Sequence, residues 1–331
     1  MIQVKACERT DGAPTTALVL GELTDTAMVA EISDLLADGT RLLWIDVKDP
    51  APGEMVRIGE EFGLHPLAIE DAIQRHERPK VELFEGYIFI VFYALEMIDD
   101  RPTTHEINLF AGKNYLLTVH DGDLAAVTET ANRWADHLRT HAPPTAGVLV
   151  YAVIDAIVDG YFPVIDELAE RIEDLEDDIF GGHDLDTQRE IFRLKKDLLA
   201  VRRVVAPERD VMNVLVRRDA PLFSTKEATY FQDVYDHLLR ITDMVDTYRE
   251  ILGGALDANL SMTSYRLNAT VKRMTSSSII LMSMALISGI YGMNFANMPE
   301  LNWQLGYTWA LGLMVVVGSG LFMFFRRIDW L

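Results

Sequence analysis

Residues 274–299, MTSSSIILMSMALISGIYGMNFANMP, decide the fold of this chain because 26 consecutive residues carry no charge. A second charge-free stretch of 25 residues, 301–325, follows directly after Glu300. About 20 helical residues cross the ~30 Å hydrocarbon core of a bilayer, so each stretch is long enough to span it. Two such runs in tandem favour a two-helix membrane hairpin over a buried core helix.

Basic residues flank this hairpin on one side only. Lys272 and Arg273 precede the first span, and Arg326 and Arg327 follow the second, whereas the loop between them holds only Glu300. Lys and Arg concentrate on the cytoplasmic side of membrane proteins. We therefore expect a multi-pass protein of the cell inner (plasma) membrane with both termini in the cytoplasm. In this organisation an outer loop covers 292–305, the second span 306–325 and a basic cytosolic end 326–331.

The net charge of −21 is unevenly distributed. Residues up to Val271 carry −23, and the rest carry +2. A content of 49% hydrophobic residues excludes a disordered acidic chain, and the acidic balance argues against nucleic-acid binding. The single cysteine, Cys7, allows no intrachain disulfide, and no signal peptide is evident at the start. The acidic part is therefore expected to be cytosolic.

Residues 1–140 combine strand and helix patterns and predict a cytosolic α/β domain whose strand order stays open. The segment lacks a Gly-rich phosphate loop, a Gly-x-Ser-x-Gly motif and a His-Glu-x-x-His motif, so no enzyme activity is predicted. Apolar runs predict strands, and 3.6-residue periodicity predicts helices. The strands are predicted at 41–47, 87–93 and 115–119, and the helices at 54–63, 66–75 and 122–139.

Residues 141–227 predict a helical hairpin with acidic coiled-coil arms. Between Asp155 and Glu190 lie 13 carboxylates, whereas the second arm is rich in Arg and Lys. Two interpretations stay open: a solvated face paired with the basic arm, or a surface that attracts divalent cations. Gly181-Gly182 would separate the arms, whose apolar residues are spaced three and four apart. These are Ile165, Leu168, Ile172, Leu175 and Ile179, then Ile191, Leu194, Leu198, Val201 and Val205.

Residues 228–291 contain no proline and predict one long helix that includes the first span. Gly253-Gly254 is its only weak point, and about 64 residues would measure roughly 95 Å. Asp257 and Asn268 lie eleven residues apart and therefore about 20° from a common face. Thr275, Ser278 and Met282 continue this stripe, which would line a pore in a symmetric ring of parallel helices.

At the outer end of the first span stands Tyr291-Gly292-Met293-Asn294-Phe295, followed by Met298-Pro299-Glu300-Leu301. Gly-Met-Asn alone would suit a helix C-terminus. Between two spans it resembles the CorA family of divalent-cation channels, the Gly-Met-Asn family of two-span metal-ion channels. Further similar stretches are HPLAIED at 65–71, HERPKVE at 76–82, YAVIDAIVD at 151–159 and FQDVYDH at 231–237.

The resemblance implies a funnel-shaped homopentamer in the lipid bilayer. Each subunit would have an α/β N-terminal cytosolic domain, long helices and a C-terminal two-helix transmembrane hairpin. The long helix would line the pore, and the second span would lie outside it. Gly292, Met293 and Asn294 would form the selectivity filter. The implied pore-lining residues are Asp257, Asn268, Met274 and Met282.

The resemblance also implies a regulatory Mg²⁺ between neighbouring subunits. Asp71 and Asp233 would bind this ion, with Glu70 and Asp155 at a second, adjacent site. His76 is expected to be structural. Mg²⁺ would thus be both the transported and the regulatory ion, without an organic cofactor. No nucleic-acid or other protein partner is inferred.

Three features depart from the family pattern. Ser283 and Ala285 occupy the places of a common Pro-x-Thr, and Val271 replaces a larger side chain at the hydrophobic gate. The basic cluster Arg326-Arg327 is short and is followed by Asp329. These departures concern the hydration of the gate and the ring that the basic clusters of several chains would form. They leave the filter motif intact.

These features predict a divalent-cation channel or transporter for Mg²⁺, with Co²⁺ and Ni²⁺ as further candidates. Uptake would be driven by the membrane potential and stopped by cytosolic Mg²⁺ bound between subunits. One alternative is a zinc transporter of the same superfamily, although residues 298–301 look like the magnesium type. Another is a non-conducting, membrane-anchored metal sensor, which would not need the polar stripe. An enzyme ranks last.

Overall fold

The computed structural model describes residues 2–8, 18–20, 32, 36, 39–75, 77–140, 145–181, 187–217, 222–294, 298 and 303–331, so His76 lies outside the described part. The chain divides into two compact units, Met1–Gly253 and Gly254–Leu331. The described strands are β1 (Ile2–Glu8), β2 (Leu18–Leu20), β3 (Arg41–Lys48), β4 (Lys80–Phe84), β5 (Tyr87–Ile98), β6 (Arg101–Gly112) and β7 (Tyr115–His120). The helices are α1 (Pro52–Phe62), α2 (Pro66–Gln74), α3 (Ala125–Thr140), α4 (Ala146–Asp159), α5 (Tyr161–Gly181), α6 (Thr187–Val216), α7 (Thr225–Tyr291) and α8 (Gly306–Arg327).

The seven strands form one mixed sheet in the order β2-β1-β3-β7-β6-β5-β4. Only β3 and β7 pair in parallel, and the other neighbours are antiparallel. β5 and β6 form a long hairpin that turns at Asp99 and Asp100, whose φ angles are 51° and 58°. Asp tolerates this left-handed conformation, which suits the twist of a tight hairpin. The hairpin carries β5 beyond the predicted run at 87–93.

Helices cover both faces of the sheet. Side chains alternate between faces along a strand, so Leu43 and Ile45 of β3 point to one side and Trp44 to the other. Leu43 and Ile45 belong to the core that α1 and α2 complete. Trp44 stacks on Trp134 of α3 with ring centroids 5.6 Å apart. This two-sided burial explains why β7 is fully buried along its length rather than alternating between buried and exposed residues.

The α5–α6 pair buries the apolar seam that the three-four spacing predicts. All ten seam residues are at most 4% exposed. Arg171 of α5 donates from Nη2 to Glu190 Oε1 of α6 over 2.6 Å. At this position an acidic side chain pairs with a basic one, as the first interpretation of the acidic arm expects.

Three helical segments among the described residues are long and apolar enough to cross a membrane, one more than the two expected from sequence. The most apolar window of Ala146–Ile179 is 61% buried within the protein, whereas those of α7 and α8 are only 6% buried. Burial against the sheet therefore accounts for the apolar residues of the first segment. Burial within the chain does not account for the apolar residues of α7 and α8.

Candidate pore and metal sites

The four expected pore-lining residues share one side of α7. At 100° per residue, Asp257, Asn268, Met274 and Met282 fall within an arc of about 120°. All four are exposed, with Met274 at 67% and Met282 at 71%. All four residues lie within one helix, Thr225–Tyr291, so the arc is continuous. We refer to these four residues as the exposed arc of α7.

The opposite side of α7 is partly covered within the second unit. Ser276 is fully buried and Ile280, Met284 and Ile287 are half-buried. Their mean direction lies about 160° from that of the exposed arc. Gly318 of α8 lies against Met284, since a Cβ built at this glycine would be 3.5 Å from the Met284 sulfur. The covered face of α7 therefore turns toward α8, and the exposed arc is left without cover.

The Gly-Met-Asn motif begins directly where α7 ends at Tyr291. The Gly292 amide donates to the Ser288 carbonyl over 3.0 Å, and the Met293 amide donates to the Ile290 carbonyl over 3.2 Å. A Cβ at Gly292 would be 3.2 Å from the Ser288 oxygen, which favours glycine here. Asn294 follows as an exposed residue. Asn294 thus lies beyond the end of the helix, and its exposed side-chain amide is available to a ligand.

Asp71 of α2 forms an ion pair within the chain. Lys80 Nζ lies 2.6 Å from Asp71 Oδ2 and 3.1 Å from a carboxylate oxygen of Glu82. These carboxylates raise the pKa of Lys80 and keep it charged, although burial opposes this. The neighbouring Glu70 accepts a hydrogen bond from Gln74 Nε2 over 2.8 Å. A cation at Asp71 would have to compete with the Lys80 ammonium group.

Asp155 belongs to a group of potential metal ligands that sequence reasoning identified only in part. Ligand atoms of Asp155, Asp159 and His237 all lie within 4.8 Å of one another. Among the described residues, this is the one group of three or more such side chains. Asp155 and Asp159 are four residues apart on α4, as are Asp233 and His237 on α7, so each pair shares a helix face. This i,i+4 spacing on both helices is the sequence signal that could have identified Asp159 and His237.

The electrostatics of this group favour a cation. Burial raises the pKa of Asp155 to about 6, and the charges of Asp159 and Asp233 add to the rise. Burial and the same acidic surroundings raise the pKa of Tyr151. Two carboxylates and an imidazole can bind a divalent ion, although Mg²⁺ prefers oxygen ligands and Co²⁺ or Ni²⁺ accept nitrogen more readily. The donor set therefore fits a divalent cation.

The expected metal ligands thus separate into two sets. Asp155 and Asp233 are electrostatically coupled near His237, whereas Glu70 and Asp71 are engaged with Gln74 and Lys80. Asp71 and Asp233 do not share a cluster of three ligands among the residues that the structure describes.

Comparison with known proteins gives consistent matches over nearly the whole chain. The model of the CorA-like Mg²⁺ transporter protein family matches residues 39–327. The cobalt/magnesium transport protein CorA of Thermotoga maritima is 35% identical over 302 residues, covering 89% of this chain and 85% of the relative. The protein of the same name from Methanocaldococcus jannaschii is 28% identical over 306 residues, covering 91% and 95%.

A solved structure matches the fold as well. The complete structure of the CorA magnesium transporter from Methanocaldococcus jannaschii superimposes with a TM-score of 0.81 at 26% identity. The match covers 99% of this chain and 98% of that one. The family model, the 35% identical relative and the full-length structural match agree. The chain therefore belongs to the CorA-like Mg²⁺ transporter protein family.

Proposed function

We propose that this protein is a channel that takes up Mg²⁺, and related divalent cations such as Co²⁺, across the inner membrane. The observation that carries the proposal is the exposed arc of α7, which faces away from the side that α8 covers. Asp257 and Asn268 precede the span and lie in line with Met274 and Met282 inside it, so the arc continues from the cytoplasmic side into the membrane. In a ring of identical subunits it faces a water-filled pore. The family of transporters to which the chain belongs supports the same conclusion.

We propose that α7 and α8 cross the membrane with both chain ends in the cytoplasm. Support comes from the two ends of α8. Trp303, Tyr307 and Trp309 are 58%, 79% and 54% exposed near its beginning, as expected of an aromatic belt at the membrane surface. Arg326 and Arg327 occupy its last turn, where basic residues mark the cytoplasmic side.

Gly292, Met293 and Asn294 form the outer entrance in this proposal. Mg²⁺ binds oxygen ligands and loses its water reluctantly. A ring of neutral Asn294 amides accepts hydrogen bonds from the hydration shell without binding the ion so strongly that it cannot leave. The membrane potential drives entry, since two charges moving across 100 mV gain about 4.6 kcal/mol.

We further propose a homopentamer that cytosolic Mg²⁺ closes. The ion binds between Asp71 of one subunit and Asp233 of the next, with Glu70 and Asp155 nearby. When internal Mg²⁺ falls, the acidic cytosolic parts repel one another and the ring loses its closed arrangement. The constriction around Met274 and Met282 then becomes hydrated, and ions pass.

Substitution of Asn294 tests the pore. Purified protein in proteoliposomes with an internal Mg²⁺ dye should take up Mg²⁺ when a negative internal potential is imposed. We expect Asn294→Ala to slow this uptake by about tenfold or more, which corresponds to ~1.4 kcal/mol at the barrier. Asn132→Ala, an exposed asparagine of α3, is the matched control and should leave uptake unchanged.

The same assay separates the alternatives. Absence of potential-dependent uptake by the unsubstituted protein would favour a non-conducting metal sensor. Uptake that Zn²⁺ supports better than Mg²⁺ or Co²⁺ would favour a zinc transporter. Full activity of Asn294→Ala would exclude the proposed role of the filter.

A further inference from the structure

The segment after α8 folds back on the end of that helix. The Trp330 amide donates to the Phe325 carbonyl over 2.9 Å, and the Asp329 amide donates to the Arg326 carbonyl over 3.4 Å. Asp329 has a φ of 56°, in the left-handed region. These two bonds and the left-handed residue define a Schellman motif, which satisfies carbonyl groups at a helix C-terminus.

The hydrophobic contact that often accompanies this motif is also present. The Trp330 ring stacks on the Phe325 ring with centroids 5.8 Å apart and planes 23° from parallel. Phe325 is 5% exposed, in a helix that is otherwise largely exposed. The motif therefore fixes the direction of Trp330 through two backbone bonds and one ring contact.

Trp330 reaches α7 at a buried polar residue. Ser276 is fully buried, although the residues on either side of it, 271–275 and 277–279, are exposed. Its hydroxyl is 3.0 Å from the Arg273 carbonyl and 3.4 Å from the Trp330 carbonyl. The segment after α8 therefore covers one point of α7, two residues from Met274 of the exposed arc.

We infer that Ser276, Phe325, Asp329 and Trp330 form a clip that holds α8 to α7 and stabilises the closed gate. This inference rests on the proposed channel function. A helix transmits a restraint at Ser276 to Met274, which lies about half a turn away. Met274 and Met282 are exposed on the arc and are apolar, as the residues of a dewetted constriction would be. Breaking the clip would therefore favour the open gate.

Two substitutions of one residue provide the sharpest test. Asp329→Gly and Asp329→Val remove the same charge, but only valine is strongly disfavoured at a φ of 56°. We expect Asp329→Val to raise the internal Mg²⁺ concentration that halves uptake by about fivefold, the factor of one net hydrogen bond. Asp329→Gly should match the unsubstituted protein. An equal shift in both variants would overturn the inference by assigning the effect to charge.

The contact itself is tested by a double-mutant cycle on the same Mg²⁺ dependence. Ser276→Ala and Trp330→Ala should each raise the half-inhibiting concentration, and the double variant should raise it no further than either alone. Trp330→Phe should restore inhibition because it keeps the ring contact, and Ser277→Ala, an exposed neighbour, should change nothing. Additive effects of the two alanine substitutions, or an unchanged concentration, would overturn the inference.

A readout that does not depend on transport separates failure of the clip from failure of the proposed channel. In a Cys7→Ser background, Ser276→Cys and Trp330→Cys should cross-link within one chain on mild oxidation. The control pair Ser277→Cys and Trp330→Cys should not. Cross-linking of this pair, when the unsubstituted protein shows no uptake, would refute the channel and retain the contact, whereas uptake by the unsubstituted protein without cross-linking of the pair would refute the clip.

Discussion

Glu208 is a buried carboxyl group that connects the sheet to the helices of the first unit. It is completely buried, and its Oε1 accepts the Tyr93 amide of β5 over 2.9 Å. The Tyr161 hydroxyl lies 2.9 Å from its Oε2. Burial raises the pKa of Glu208 well above its ordinary value, although these hydrogen bonds oppose the rise. The folded protein therefore binds a proton here that the unfolded chain releases at a lower pH.

The stability of the protein should fall with rising pH because of this group. The stabilising contribution is complete below the unfolded pKa of about 4.3 and decreases as pH rises toward the folded pKa. Glu208→Gln keeps an acceptor for Tyr93 and cannot ionise, so we expect its unfolding temperature to depend less on pH between about 5 and 8. Glu208→Ala should lose about 3 kcal/mol because two donors lose their acceptor.

Thermal unfolding of both variants in detergent at three pH values would check this. The difference between Glu208→Gln and the unsubstituted protein should grow in favour of the variant as pH increases. A constant difference at all pH values would contradict a titrating Glu208.

At the residue scale, sequence reasoning identified candidate ligands but not their partners. Asp155 was expected to be a ligand, whereas Asp159 and His237 emerge because α4 and α7 approach each other. Similarly, the HERPKVE stretch gives no indication that Lys80 turns back to Asp71. Such pairs depend on tertiary packing, which a one-dimensional pattern does not contain.

At the scale of elements, periodic and uninterrupted segments were predictable. The absence of proline predicts the long helix, which the structure extends from Thr225 to Tyr291. Strand β6 was not predicted, because Pro102 and the polar first half of RPTTHEINLFAG mask its extended character. Its pairing with β5 along twelve residues, Tyr87↔Gly112 to Ile98↔Arg101, decides the structure instead. Long-range pairing thus overrides local propensity.

The two faces of α7 make a testable prediction at this scale. In a Cys7→Ser background, single cysteines at Ser278 and Met282 should react with a water-soluble, membrane-impermeant thiol reagent when the channel is opened by removing Mg²⁺. Cysteines at Ile280 and Ile287 should react at least about tenfold more slowly, since they lie on the half-buried face and exclude the aqueous reagent. Similar rates at all four positions would contradict an aqueous pore along the exposed arc.

For the whole molecule, the uneven charge becomes part of the proposed mechanism. Each chain carries a net charge of −21, which is the sum of −23 outside the membrane hairpin and +2 within it. A ring of such chains brings like charges together, and salt screens them only beyond about 8 Å at physiological ionic strength. Carboxylates at the contacts between subunits therefore repel most strongly. A divalent cation bound there would favour association of neighbouring subunits and closure of the gate.

Two substitutions should shift closure by Mg²⁺ in opposite directions. Asp233→Lys should leave the channel conducting at internal Mg²⁺ concentrations that close the unsubstituted protein, because a cation replaces a ligand. Asp236→Lys makes the same charge change at another exposed position of α7 and should have little effect. Lys80→Gln should lower the half-inhibiting concentration, by about fivefold at most, since a partly exposed ion pair contributes up to ~1 kcal/mol. The Lys80→Gln substitution frees Asp71 Oδ2, which lies 2.6 Å from the Lys80 ammonium in the unsubstituted protein. Flux measured across a series of internal Mg²⁺ concentrations would decide, and equal shifts for Asp233→Lys and Asp236→Lys would reduce the effect to general charge.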